Sequence, residues 1–423
     1  MQFTEFKLDP RLLRAVEAAG YLEATPIQEI AIPAGLDGRD IVGTAQTGTG
    51  KTAAFVLPIL QALLTSGPKP GRTRALIVTP TRELAEQIHS AVKQLAKFTK
   101  IRCATVYGGV GMAPQDKALR GGVEIIVACP GRLLDHMERG AAKLGDVEFL
   151  VLDEADRMLD MGFLPPVKRI LSKLPTNRQT MLYSATFAPE LKTLMADALR
   201  NPERIAIGTS APAETVAHAL YPVSQTMKTA LLMRLLDETE TESVLIFTRT
   251  KHRANRLFEQ IERAGYRATA LHSNKSQGQR QAALDGFRSG KFQMLVATDI
   301  AARGLDIATI SHVINYDIPD TADAYIHRIG RTGRAERNGD ALTLVTTEDR
   351  ETVRDIERCL GEPIQTCKVE GFDYGHAGLM DGDEYRRLSY SSSSTKSGTG
   401  SSSNALRWSG GRKQAPLRRR SGR

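Results

Sequence analysis

Cysteine is scarce in this chain: there are four in 423 residues, and Cys103, Cys129, Cys359 and Cys367 stand in no C-x-x-C or Cys/His metal spacing. That excludes a disulfide framework or zinc module legible in the sequence and leaves four reduced, structural thiols. Long apolar runs are missing too. Stretches such as Phe149 to Leu152 and Val244 to Phe247 have the length of strands and are too short to span a bilayer. The first ten residues mix Glu5, Lys7 and Asp9 among apolar ones and show no apolar core of a secretory signal, so a cytoplasmic protein without a membrane partner is expected. Acid is missing from the C-terminal end: Leu388 to Arg423 holds eight Lys and Arg and no Asp or Glu. The rest balances at 49 basic against 48 acidic residues, so the net charge of +9 belongs to the tail.

What is present is ordinary for a globular protein, 41% apolar and 25% charged. The length exceeds what a single core usually fills, so two domains are expected. Short β-branched runs, each followed by a loop and a helix-like stretch, recur at Asp40 to Gly43, Ala75 to Thr79, Val123 to Ala128, Phe149 to Asp153 and Gln179 to Ser184. A second series runs through Val244 to Thr248, Ala268 to Leu271, Met294 to Thr298, His312 to Tyr316 and Ala341 to Thr346. Such alternation predicts α/β domains with parallel sheets covered by helices. The small and loop-forming residues Gly208-Thr-Ser-Ala-Pro-Ala-Glu mark a linker, giving domains over 1–207 and 219–365, a linker over 208–218 and a tail over 366–423. Beyond about residue 388 the chain turns to 11 Ser and 5 Gly with scattered Arg and one Trp, a composition that cannot bury a core and is expected to be disordered.

Ala45-Gln46-Thr47-Gly48-Thr49-Gly50-Lys51-Thr52 follows an expected strand and precedes an apolar helix. In that setting glycines let backbone N–H groups approach phosphate oxygens, Lys51 reaches the β and γ phosphates, and the Thr52 hydroxyl takes magnesium. An ordinary Gly-rich turn would share the local shape. The strand Phe149 to Leu152, ending in Asp153-Glu154-Ala155-Asp156, argues for the phosphate site, because a parallel sheet delivers Asp153 to the same carboxyl edge to hold magnesium, partly through water. Glu154 then faces the γ-phosphate, where it can orient or deprotonate the attacking water.

With these residues and those that follow, the chain resembles the DEAD-box ATP-dependent RNA helicases, from about Phe3 to about Val345. Gly20 to Gln28 resembles the family's adenine-reading motif, which implies ATP as the nucleotide, with Tyr21, Gln28 and Phe3, seventeen residues before Gly20, at the base. An amide such as Gln28 can donate to and accept from one adenine edge. Pro80-Thr81-Arg82, Gly109 and Arg132 resemble contacts to the RNA backbone, and Arg280 of Gln-x-x-Arg and Thr298 are similar to further ones. Cys129 departs from the Thr usual before Pro-Gly-Arg.

The resemblance further implies that Ser184, Thr186, Asp156 and His327 couple hydrolysis to strand separation, that Gly304 and Asp306 meet the nucleotide, and that Arg331 and Arg334 reach the γ-phosphate across a cleft. It implies two tandem RecA-like domains. Asn274-Lys275-Ser276-Gln277 resembles the bacterial RhlE-like branch. The expected function is ATP-dependent, RNA-stimulated unwinding or remodelling of RNA, gripped through its backbone without sequence preference. A DNA-dependent translocase and an ATP-gated, non-catalytic RNA clamp are the alternatives. The basic tail reads either as added RNA affinity or as a solubilising segment. His89, His218 and His312 read as ordinary residues.

Overall fold

The computed structural model describes residues 1–44, 49–206, 216–239, 241–302, 310–332 and 339–374. The first domain holds β1 (Ile41–Thr44), β2 (Ala75–Val78), β3 (Cys103–Val106), β4 (Ile125–Ala128), β5 (Phe149–Leu152), β6 (Gln179–Ser184) and β7 (Glu203–Ala206). The second holds β8 (Val216–Pro222), β9 (Val244–Thr248), β10 (Ala268–Leu271), β11 (Met294–Thr298), β12 (His312–Asn315), β13 (Gly339–Val345) and β14 (Gln365–Thr366). These make two seven-stranded sheets in the orders β3-β4-β2-β5-β6-β1-β7 and β10-β11-β9-β12-β13-β8-β14. All the pairings are parallel.

Burial on both faces explains why the inner strands are runs of apolar residues rather than alternating ones. Along β5, Val151 enters the core on one face while Leu150 and Leu152 enter the core on the other. Along β9, Leu245 and Phe247 face one core of the second domain, and Val244 and Ile246 the opposite one. Parallel strands send all their carboxyl ends to one edge, so the loops after β1, β2, β4, β5 and β6 converge there.

The ten strands expected from the sequence are present, most within a residue of their expected bounds. The domain limits need correction. Residues 216–218, assigned to the linker, open β8, which pairs with β13 and β14 inside the second sheet. Thr366, assigned to the tail, lies in β14, and Val369, Phe372 and Tyr374 pack onto the second domain's core. Both stretches belong to the second domain, the first through pairing on both sides of β8 and the second through β14 and the core. The tail beyond residue 374, with its expected disorder, lies outside the described residues. No helix among the described residues is long and apolar enough to cross a membrane.

Candidate functional site

The helix Lys51–Thr65 begins immediately after the phosphate loop, so Lys51 and Thr52 sit at its positive end. Gly50 caps it with φ +90°, and a Cβ there would come within 2.5 Å of Gln28 Nε2 and 2.9 Å of Thr25 Oγ1. Only glycine fits. Those two neighbours hold the loop: Gln28 Nε2 donates to the Gly50 carbonyl at 3.0 Å, and the Thr25 hydroxyl donates to the Thr49 carbonyl at 2.8 Å. Gln28 Oε1 accepts from the Thr25 N–H at 2.9 Å. Each polar atom of the amide keeps capacity for one more bond, so the residue expected at the adenine is also tied to the phosphate loop. Phe3 is buried and stacks on Tyr21 with ring centres 6.1 Å apart, which positions Tyr21. Ala45, Gln46, Thr47, Gly48, Gly304, Asp306 and Arg334 lie outside the described residues.

Asp153 follows β5 and is fully enclosed; burial raises its carboxyl pKa to about 6 against the opposing charge of Lys51. Glu154 stands in the left-handed region at φ +52°, a conformation that costs an L-residue about 1–2 kcal/mol. The turn aims its carboxylate back at Arg157, whose Nη1 donates to Oε2 at 2.6 Å, both side chains being buried. Burial works against the Glu154 charge, but Arg157, Lys51 and Arg331 outweigh it and hold the carboxyl below the usual range. Its other oxygen, Oε1, is buried without a hydrogen-bond partner. Asp156 Oδ2 accepts from the N–H groups of Ala185 and Thr186, both at 3.0 Å, and the Asp156 N–H donates to Ser184 Oγ at 3.2 Å. Ser184 and Thr186 therefore read the acidic loop directly, a tighter role than a helix cap.

The second domain closes this site. Arg331 is buried and contributes to the field at Glu154, and His327 feels Arg157, Asp156, Arg331 and Glu154. Burial, foremost, keeps His327 below its ordinary pKa. A cavity of about 380 Å³ lies between the domains, with Arg157 and Asp160 on one wall and Asp299, His327, Arg328 and Arg331 on the other. Arg328 plays a structural part. It chelates Asp299 with two bonds of 2.6 Å and donates to the Asp317 carbonyl, fixing the helix Ala322–Ile329 that presents His327.

At the same edge of the first sheet, Arg82 and Arg132 converge on the turn after β3. A Cβ on Gly109 would meet Arg82 Nη1 at 2.0 Å, and Arg132 Nη1 donates to the Val110 carbonyl at 3.0 Å. Thr81 caps the helix Arg82–Leu95 by accepting the Leu84 N–H, with Pro80 buried before it. Cys129 caps the helix Pro130–Glu138 without any side-chain bond, and burial pushes its thiol up to about 12. Thr298 ends β11 opposite Thr248.

Arg280, expected at the RNA backbone, also reaches the first domain: its Nε and Nη2 bind Glu83 Oε1 at 2.8 and 2.7 Å, in a buried pair. Sequence reasoning also left Thr25, Glu83 and Arg157 unassigned. Arg157 had a signal, since a cation three residues after an acid on a helix meets it; Glu83 stood inside the motif Pro80 to Ala85, with nothing local to mark its partner.

A divalent cation fits the residues present. Asp153 and Glu154 are buried carboxylates, Glu154 with an unpartnered oxygen, and Thr52, in the first turn of the helix Lys51–Thr65, is a further hard oxygen donor. Among the described residues no three His, Cys, Asp or Glu side chains cluster to hold a metal unaided, so the ion would share phosphate oxygens.

A family model, DEAD/DEAH box helicase, matches residues 25–194, and a second, Helicase conserved C-terminal domain, matches residues 227–336. The chain is 41% identical over 380 residues to the ATP-dependent RNA helicase CshA of Listeria monocytogenes, covering 90% of this chain and 72% of that one. The ATP-dependent RNA helicase CshA of Limosilactobacillus reuteri is 42% identical over 359 residues, 85% of this chain and 72% of its own. Among solved structures, S. cerevisiae Dbp5 bound to RNA and ADP BeF3 gives a TM-score of 0.77 at 32% identity over 86% of this chain and 95% of that one. A DEAD box protein from Methanococcus jannaschii gives 0.52 at 34% identity, over 87% and 99%. This chain belongs to the DEAD/DEAH box helicase family.

Proposed function

We propose that this protein is an ATP-dependent RNA helicase that remodels RNA by closing two domains around nucleotide and RNA. The observation that carries the reading is the meeting of Glu154 and Arg331: groups on different domains, both buried, with the arginine's charge acting on the carboxylate. Loop N–H groups and Lys51 bind the phosphates, and Gln28 and Tyr21 take the adenine. Thr52 and Asp153 would hold Mg2+, which would neutralise phosphate charge. Glu154, pinned by Arg157, orients the attacking water and takes its proton through Oε1. Arg331, with Arg334, stabilises charge developing at the γ-phosphate. Asp156, Ser184, Thr186 and His327 carry the closure to the RNA side, where Pro80, Thr81, Arg82, Gly109, Arg132, Arg280 and Thr298 grip the backbone.

Closure is supported by the comparison of two relatives of nearly equal identity. The higher TM-score, 0.77 against 0.52, goes to the protein bound to RNA and ADP BeF3. If ATP and RNA each favour the closed form, each strengthens binding of the other. The Asn274 to Gln277 wording supports an RhlE-like branch, although the similar bacterial relatives carry the CshA name. A cytoplasmic location and RNA affinity in the basic tail complete the proposal. Phosphate release measured with single-stranded RNA, with DNA of equal length and with neither tests it. RNA stimulation is expected, and equal rates in all three would overturn the reading. Stimulation by DNA alone would favour a translocase, because 2′-hydroxyl contacts select RNA.

A further inference from the structure

We propose that Gln115 is a positioning residue for RNA binding, whose buried amide fixes the turn after β3 in the shape that presents Gly109 to the RNA backbone. The inference rests on the RNA-gripping role proposed above for Arg82, Gly109 and Arg132. Gln115 lies in the helix Met112–Arg120 and is 8% exposed. Its Oε1 accepts the Tyr107 N–H at 3.1 Å, and its Nε2 donates to the carbonyls of Tyr107 and Gly111, both at 3.2 Å. One side chain therefore ties both ends of the turn from Tyr107 to Gly111. β3 is an edge strand of the first sheet, with β4 on its one paired side. In a parallel ladder the N–H and C=O of one residue point to the same side, and successive residues alternate. The Val106 carbonyl accepts the Cys129 N–H at 2.9 Å, beside β4, so Tyr107 faces the open edge. There the Gln115 amide supplies the donor and the acceptor that a further strand would have supplied.

The turn held in this way lies between the two arginines. Gly109 has φ +81°, and a Cβ on Gly108 would stand 3.7 Å from Arg82 Nη2 and 3.9 Å from Arg132 Nη2, so both guanidinium groups flank it. The same network reaches the helices that carry those arginines. The Tyr107 hydroxyl donates to Glu86 Oε1 of the helix Arg82–Leu95 at 2.6 Å. Asp116, next to Gln115, pairs through Oδ1 with Nδ1 of the buried His136 of the helix Pro130–Glu138 at 2.8 Å. Gln115 is thus the joint that locks the turn to its neighbours before RNA arrives. Preordering matters because a turn ordered only on binding subtracts its lost entropy from the affinity.

The test uses the full chain as Gln115→Met, which keeps the bulk and loses the amide, and as Gln115→Asn, which keeps the amide one methylene too short. Phosphate release is measured against the concentration of single-stranded RNA, RNA affinity in the presence of ADP-BeF3, and hydrogen exchange at Tyr107 without RNA. In both variants the RNA concentration for half-maximal stimulation and the RNA dissociation constant should rise by roughly tenfold, the cost of re-ordering about one residue of backbone. The rate at saturating RNA, the RNA-independent rate and the KM for ATP should stay unchanged, and exchange at Tyr107 should quicken. Full RNA affinity in Gln115→Met would overturn the inference; should that variant fail to fold, full affinity in Gln115→Asn overturns it in the same way. A lower saturating rate and thermal midpoint with unchanged half-maximal RNA would overturn it too, because a merely structural residue gives that result. Should the unaltered protein lack RNA stimulation, the functional reading fails, while its RNA affinity against that of the variants still decides the role of Gln115. No RNA affinity at all would overturn both.

Discussion

Both sheets use one strand permutation, with β8 standing where β1 stands and β12 and β13 where β5 and β6 stand. In each domain the first strand leads to a helix whose first residue is a buried lysine, Lys51 in one and Lys228 in the other. Their surroundings differ. Lys51 follows a glycine-rich loop, and its charge acts on Asp153 and Glu154 at the end of β5. Lys228 Nζ donates to the carbonyls of Tyr316 and Leu344 at 3.0 and 3.2 Å, with Asp317 at 3.9 Å. Those acceptors sit at the ends of β12 and β13, so the second domain's own backbone fills the place that phosphates would take. Burial lowers the Lys228 pKa despite Asp317. The same architecture thus yields a lysine facing the carboxylates after β5 in one half and a lysine for the fold in the other, and the second half contributes Arg331 to the field at Glu154 instead.

The largest effect should come from the catalytic half. Glu154→Gln keeps the shape and the Arg157 contact but removes the base, so turnover should fall by about 10²–10⁴-fold while ATP binding persists. Steady-state phosphate release together with nucleotide titration measures this. Normal turnover in the variant would mean that the end of β5 is no more catalytic than the end of β12.

Next comes Lys228→Met, which should lower stability of the second domain by about 3 kcal/mol, because two carbonyls lose a donor and Asp317 keeps only Arg253 and the Arg249 N–H. Denaturant unfolding monitors the loss. A loss of nucleotide affinity with unchanged stability would instead give Lys228 the phosphate-binding role of Lys51, and the contrast between the halves would collapse.

Inner strands and the site's edge were legible because their causes are local: burial on both faces writes β2, β5, β9 and β11 as apolar runs, and a parallel sheet fixes where the loops after them meet. Three of the four edge strands were not. β7 buries only Ile205 deeply, β3 only Val106, and β14 is two residues long, so none has a pattern distinct from a loop. β8, which is not an edge strand, was missed as a whole, hidden by the loop-forming residues just before it. Arg280 carried a motif's signature, but its acceptor lies 197 residues away, and a glutamate in a helix's first turn reads the same whether it faces water or another domain. Thr25 was quoted with its motif, yet its bond to the Thr49 carbonyl depends on how the helix Pro26–Leu36 packs against Lys51–Thr65, which no local pattern encodes.

The smallest effect concerns acid, and it too separates the halves. Helices Arg82–Leu95 and Lys251–Arg263 occupy matching places, each capped by a threonine, Thr81 and Thr250. Five residues after the cap the first has Glu86 and the second Asn255. His89, foremost, with the Tyr107 and Thr105 hydroxyls, holds the Glu86 carboxyl down at about 2 from 4.5. Asn255 only donates to Glu259, at 2.7 Å. A carboxyl lowered on folding stabilises the native state fully above its unfolded value and loses that contribution as pH falls toward its folded one. The first domain should therefore lose stability between about pH 4.5 and 2 through Glu86, a loss that Glu86→Gln removes by making it permanent. Since Glu86 is only half-enclosed, solvent screening keeps the effect small. Acid titration of the thermal midpoint in the two forms checks it: their curves should converge on acidification, and parallel curves would mean that Glu86 titrates as it does in the unfolded chain.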